Sequence, residues 1–301
     1  MDRPRTGLPA RRGCELTGTL TPNGRFVTIC ALLLAGCQQP RRPDRIKSEP
    51  IPLPEAARIV NENIARIGGT LRAAGAVDGY FTTEKGRRRS YHLEGVLFYR
   101  APIFVRFELK KLGDTQLLFG SNQERYWCFI RQDDTFFCGS HDESDEPPPD
   151  LPARPDQLVD ALGLTPVPVD SQGRSIQSGT HVTQRVAEDF QQVLFLTHGE
   201  PGRGTIGKEY WLDRFPPHLV RRVIFRGADG NIEMQSNLED YRRMQPGGPL
   251  LPRVTTAEWP KLKARMRFEV RKWTPVYQIG PRDIQFATHP QCLETESIVP
   301  R

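Results

Sequence analysis

The stretch 93–111, LEGVLFYRAPIFVRFELKK, decides how this 301-residue chain folds. Val105, Phe107 and Leu109 fall at alternate positions, with Arg106, Glu108 and Lys110 between them. Successive side chains of an extended chain point to opposite faces, so the segment has one apolar and one charged face and reads as a half-buried strand. The run before it, 91–100, reads as a second strand, joined to the first by a short turn at Ala101-Pro102.

Working outward, similar runs occupy 76–84, 115–120, 125–131, 135–139, 190–197, 208–213, 219–226, 231–238 and 264–273. In the last of these, Met266, Phe268 and Val270 oppose Arg265, Arg267, Glu269 and Arg271. Eleven such runs, joined mostly by turns, predict one large antiparallel sheet, which at that size must curl or close. Ahead of them, Val60, Ile64, Ile67 and Leu71 recur at helical spacing and predict an amphipathic helix from Glu55 to about Ala74. Gly68 and Gly69 weaken it and mark close packing or a break. The series is interrupted by an acidic, proline-rich loop at 140–156. After it, PDQLVDALGL reads as a short helix that starts near Pro155, stops at Gly163 and turns Leu158, Leu162 and Leu164 inward. A helix inserted midway through a curved sheet is well placed to plug its open side.

The first 36 residues have a different character. Arg3, Arg5, Arg11, Arg12 and Arg25 precede a mostly apolar run from Phe26 to Gly36, the order of an export signal. That run is too short for a permanent transmembrane helix. It ends in Leu34-Ala35-Gly36-Cys37, which resembles the bacterial lipobox, in which the cysteine is lipidated and becomes the first residue after cleavage. The expectation is a signal at 1–36, lipid attachment at Cys37, a proline-rich tether over 37–54 and a folded domain over 55–275. A tail at 276–301 has no assigned role. Two acyl chains would hold the protein firmly on a membrane.

Five of the 42 basic residues and two of the 36 acidic ones lie before Cys37, so much of the net charge of +6 belongs to the signal and does not argue for nucleic acid. The run Arg87-Arg88-Arg89 is short, lacks stacking aromatics and reads as a solvated turn. Six scattered histidines show no metal-ligand spacing, so no metal and no cofactor are expected. Gly202-Arg203-Gly204-Thr205-Ile206-Gly207 matches the dinucleotide-binding pattern in letters, yet it leads into a strand-like segment and reads as a hairpin turn. No nucleophile elbow and no ordered Ser-His-Asp set stand out, and no enzymatic activity is expected. In RYWCFIRQDDTFFCGS a three-residue loop would set Cys128 opposite Cys138 within reach of a disulfide, whereas a two-residue loop would set Cys128 against Gly139. The alternative to the bond is a pair of buried thiols.

Three segments together resemble the LolA/LolB-like family of lipoprotein carriers and receptors. They are LEGVLFYRAPIFVRFELKK, in which Gly95, Pro102, Phe104 and Phe107 match, GSNQERYWCFI with Trp127, and the late meander KEYWLDRFPPHLVRRVIFRGADGNIEMQSNLEDYR. The resemblance implies an α+β fold: a half-open antiparallel β-barrel of about eleven strands with an N-terminal helix and short lid helices. It implies that lipid or the acyl chains of a lipoprotein are held in an apolar concavity. Phe98, Phe107, Leu109, Leu117, Phe119, Trp127, Phe129 and Trp211 are candidates to line that concavity, or to fill a closed core instead. Arg100, displaced from the family's Arg-Pro by Ala101, is the candidate lid latch. The family's receptor type also has a membrane-targeting apolar loop. With Cys37 and Gln38, the resemblance points to an anchored envelope protein on the periplasmic face of the outer membrane. The same fold resembles periplasmic regulators, so a sensor that binds an envelope protein partner is the alternative.

Overall fold

A computed structural model describes residues 49–82, 86–131, 134–141, 155–186, 191–198, 204–276, 286–289 and 292. The signal at 1–36, Cys37, the tether up to residue 48, most of the acidic loop and Gly202-Arg203 lie outside these residues.

Helix α1 spans Leu53–Ala65 and buries Ala56, Ala57, Val60 and Ile64 on one stripe. It ends sooner than its periodicity predicts. Gly68 adopts a left-handed φ of 65°, the conformation that terminates helices at little cost for glycine. The chain then enters β1 (Thr70–Thr82). Leu71 is therefore buried from a strand, at a spacing that happens to continue the helical one.

An antiparallel meander follows: β2 (Arg88–Arg100), β3 (Phe104–Lys111), β4 (Asp114–Ser121), β5 (Arg125–Ile130) and β6 (Thr135–Ser140). Helix α2 (Pro155–Ala161) comes next. The second run comprises β7 (Thr180–Val186), β8 (Gln191–His198), β9 (Thr205–Asp213), β10 (Val220–Arg226), β11 (Ile232–Arg243), β12 (Leu250–Trp259) and β13 (Ala264–Val276). All thirteen strands form one sheet, in the order β6-β5-β4-β3-β2-β1-β13-β12-β11-β10-β9-β8-β7.

Two strands were not expected. The segment of β7 is short and polar, as suits an edge, and β12 contains Pro252, which supplies no ladder N–H. Strands β8 and β9, on either side of Gly202-Arg203, are paired antiparallel.

Because the first strand pairs with the last, the free edges are β6 and β7, and the stretch containing α2 runs between them. Helix α2 packs on β3, β4 and β5 and also on β10 and β11. In a flat sheet β3 and β11 would stand about 24 Å apart, whereas a seven-residue helix is about 10 Å long. The sheet therefore curls around α2, and its two edges remain unpaired with each other.

At the middle of the curl Gly75 lies opposite Gly95. A Cβ on Gly95 would come within 2.7 Å of Val77 and 3.1 Å of the Phe107 ring. The space left by the missing side chain admits Phe107 and Phe268, whose ring centroids are 5.1 Å apart.

Helix α1 is fastened by two asparagines. Asn63 Nδ2 donates to Leu250 O at 2.9 Å and Asn63 Oδ1 accepts from Leu250 N at 2.8 Å. Asn61 treats Val167 in the same way, at 2.9 and 2.8 Å. Replacing Asn63 by Ala removes two hydrogen bonds and leaves two backbone groups without these partners. We expect Asn63→Ala to lower unfolding stability by about 2 kcal/mol, read as a shift of the urea midpoint at unchanged slope.

Candidate functional site

The register assigns each candidate residue to a face. One continuous row runs Ala73, Leu97, Phe107, Phe119, Cys128, Phe137 across β1 to β6. A neighbouring row holds Leu109, Leu117 and Ile130. These side chains belong to, or pack against, one apolar core with Leu158, Leu162 and Leu164 from α2 and the segment after it. They line the concave face. Phe107, Leu109, Leu117 and Phe119 thus face this core, and Phe107 is fully buried.

The other four candidates point the opposite way. Phe98, Arg106, Gly120, Trp127 and Cys138 form a row on the convex face. Phe129, two residues after Trp127, shares that face and stacks on Phe136 at 6.4 Å. Trp211 lies between inward-facing Tyr210 and Leu212, donates to Glu209 Oε2 at 2.8 Å and carries Arg222 over its ring. The aromatic content of these strands does not reveal their facing, because the convex side is apolar here too.

The convex side is apolar because the C-terminal tail covers it. Phe286 meets Phe104 edge-on at 5.6 Å, and His289 lies 4.6 Å from the Phe136 ring. Asn122 Nδ2 donates to Thr288 Oγ1 at 3.0 Å. Cys292 is bonded to Cys138. The disulfide expected between Cys128 and Cys138 is thus replaced by Cys138–Cys292. Pairing resumes at Ile130 and Thr135, so four residues separate the strands, Cys128 faces Phe137 and Cys138 faces Trp127. The two cysteines consequently point to opposite faces. Cys128 is a free, buried thiol on the concave side, and desolvation pushes its pKa up to about 12.

Arg100 does not hold the lid. It neighbours inward-pointing Tyr99 in the strand, points outward and packs over the rings of Phe104 and Phe286, at 4.3 and 5.2 Å. The tie between lid and wall is made by Lys208 on β9, whose Nζ donates to Asp160 Oδ2 on α2. Asp160 Oδ1 accepts from Thr165 Oγ1, and Lys208 Nζ lies 3.3 Å from Tyr210 Oη. Lys208 is 18% exposed and Asp160 14%. Burial pushes the Lys208 ammonium toward neutrality, but Asp160 and Tyr210 outweigh that effect, so its pKa stands above the ordinary lysine value. Tyr99 Oη adds a bond to Leu164 O at 2.9 Å. In the sequence, Lys208 is one charge in KEYWLD, and only the register distinguishes it from Glu209, which faces the other way and binds Arg226.

One further residue stands out on the rim. Leu112 is 99% exposed at the tip of the two-residue turn between β3 and β4. Leu112 and Gly113 have φ of 52° and 89°. Such mirror-image hairpin turns favour Asn, Asp or Gly at the first position, so a leucine there goes against local preference. Among the described residues no helix is long and apolar enough to cross a membrane, and no three His, Cys, Asp or Glu are grouped to hold a metal.

No protein-family model matches the sequence, and no curated protein matches it. Among solved structures, the chain is similar to a domain designated an outer membrane lipoprotein-sorting protein from Vibrio parahaemolyticus, at 11% identity and a TM-score of 0.47, covering 77% of this chain and 97% of that one. It is similar to a LolA superfamily protein from Nitrosomonas europaea at 10% identity and a TM-score of 0.47, with the same coverage. It is also similar to a DUF1329 family protein from Desulfovibrio piger, at 8% identity and a TM-score of 0.48, covering 78% and 97%.

The placement of the cysteines has a direct chemical test. Non-reducing peptide mapping should recover Cys138 joined to Cys292, and iodoacetamide at pH 8 should leave Cys128 unmodified in the folded chain but alkylate it in urea. A thiol with a pKa of about 12 is about one part in ten thousand thiolate at that pH. Recovery of Cys128 bonded to Cys138 would contradict this register.

Proposed function

We propose that this chain is an anchored cell-envelope protein that binds lipid, or the acyl chains of a lipoprotein, on the concave face of its sheet beneath α2. The observation that carries the reading is the nature of the cover: beside α1, a long apolar wall is covered by a seven-residue helix, held near its C-terminal end by a charged side-chain pair. A second sheet would make a permanent core, whereas a short helix can be exchanged for another apolar body.

The magnitudes permit that exchange. Helix α2 and the segment after it bury Leu158, Val159, Leu162 and Leu164. At about 1.5–3 kcal/mol per side chain these supply about 6–12 kcal/mol. A twelve-carbon chain, at about 0.8 kcal/mol per methylene, supplies about 9 kcal/mol. The ligand and the lid are therefore near-equal competitors for one wall. Lipid attachment at Cys37 and a place on the periplasmic face of the outer membrane complete the proposal, resting on the lipobox and on the resemblance read from the sequence.

Leu112 supports a membrane-facing role. It is a fully exposed apolar tip following Lys110 and Lys111, which suits contact with an anionic lipid surface. Leu112→Asp should reduce cosedimentation of the full chain with anionic vesicles severalfold without changing its unfolding midpoint. Unchanged cosedimentation would remove Leu112 from the proposal.

The binding face is tested by photocrosslinking. A neutral acylglycerol bearing a diazirine on its chain should label Phe107, Phe119 or Leu97, with excess unlabelled lipid suppressing the product. Labelling confined to Trp127, Phe129 or Trp211, or no saturable labelling, would overturn acyl binding at the concave face.

A further inference from the structure

We propose that the ligand of the concave face carries an anionic head, a carboxylate or a phosphate monoester, and that this head takes the place of Asp160 on Lys208. The inference rests on the acyl-binding reading above and specifies the chemical class of the ligand.

The register brings a set of hydrogen-bond donors to one part of the wall. Tyr210 on β9 lies opposite Val223 on β10, which lies opposite Ser236 on β11, so the three share a row. In the next row Lys208 lies opposite Phe225, and Phe225 opposite Met234. Trp259 on β12 points inward two residues beyond Ala257, the partner of Ser236. Ser236 is fully buried and Trp259 is 9% exposed. Among the described residues neither Ser236 Oγ nor Trp259 Nε1 has a hydrogen-bond partner. An ammonium, a phenol, a hydroxyl and an indole N–H therefore line the same wall, and the carboxylate that meets the ammonium is contributed by the lid.

Helix α2 cannot leave this wall at no electrostatic cost. Lys208 is surrounded by apolar and aromatic groups: Leu196 opposite it on β8, and the rings of Phe225 and Tyr210 at 5.0 and 5.5 Å. Removing Asp160 alone would leave an unpaired ammonium in a poorly solvated place, which is strongly unfavourable. A neutral amphiphile that displaces α2 incurs that loss in full. An anionic one restores the pair. The exchange replaces one carboxylate and its leucines by one anion and its acyl chain, so the occupied and latched states keep the same charge balance at the wall. In the closed state Asp160 keeps the proton affinity of Lys208 above the ordinary value, against the effect of burial, and an incoming anion supplies the same opposite charge.

The experiment is displacement of a fluorescent neutral acyl probe from the full chain by three twelve-carbon competitors: dodecanoate, monododecyl phosphate and dodecanol. We expect one or both anions to bind about tenfold or more tightly than dodecanol. Preference for dodecanoate alone identifies a carboxylate head, preference for the phosphate alone a phosphoryl head, and equal preference for both a site that selects charge. Lys208→Met should bring the ratio of anion to alcohol affinity to within about twofold. Asp160→Asn, which removes the internal competitor and retains Lys208, should raise affinity for the anions, and it tests the idea even if Lys208→Met folds poorly. Equal binding of all three competitors to the unaltered chain, or a preference that survives Lys208→Met, overturns this inference and leaves acyl binding standing. Failure of the probe and of every competitor to bind overturns both.

Discussion

The pairing of β1 with β13 governs the architecture. Over eleven registered pairs, with one shift at Ala74/Gly75, the start of the sheet is joined to its end. Once those strands are neighbours at the centre, the two edges must be the strands on either side of the long middle connection. That connection, with α2 in it, is thereby placed between β6 and β7, where the curled sheet remains open. The lid is a consequence of topology, and its leucines need only be apolar enough to fill the space that the curl encloses.

Both edges are also managed. Edge β6 carries the disulfide to the tail, and edge β7 is tied by Gln184 Nε2 donating to Ile51 O at 2.9 Å, just before α1. An unpaired edge is a template for association with another chain, and a strap or an adjoining segment limits that hazard. The tail has a second effect. By covering Phe104, Phe136 and the Cys138 side of β6, it lets the strands of this half be apolar on both faces.

That double-sided character explains which parts of the molecule were legible in the sequence. Strands with a clean alternation, such as Val105-Phe107-Leu109 against Arg106-Glu108-Lys110, disclose both their nature and their inward face. Where tail and lid cover opposite sides of one strand, as in Tyr126-Trp127-Cys128-Phe129, alternation disappears and the facing depends on a register that a single residue of loop length reverses. Trp127 and Phe129 were misplaced for this reason, and so was the disulfide. Pro252 concealed β12, and Leu71 extended the periodicity of α1 across a glycine turn by coincidence of spacing. The latch could not be found from a motif, because Lys208 and Asp160 are 48 positions apart and each is an ordinary surface-type residue until the curl brings them together.

A buried ion pair between lid and wall is a poor choice for stability alone, since well-packed apolar residues of the same size often do as well or better. Its distinctive property is that it discriminates between states: closed, both charges are matched, and open, one remains behind in the wall. The polar ties on the C-terminal side of α2 differ in kind, because they join neutral side chains to backbone. Tyr99 holds Leu164 O, and Asn61 holds Val167 through both its N–H and its carbonyl. Gly163, with φ of 68°, lies between those fixed points and the helix. Besides Lys208, α2 is held by the burial of Leu158 and Val159, whereas the chain after it is attached separately to α1 and β2. In the exchange proposed above, the concave face changes its cover while the sheet, the edge ties and the tail stay in place, a reversibility that a permanent core lacks.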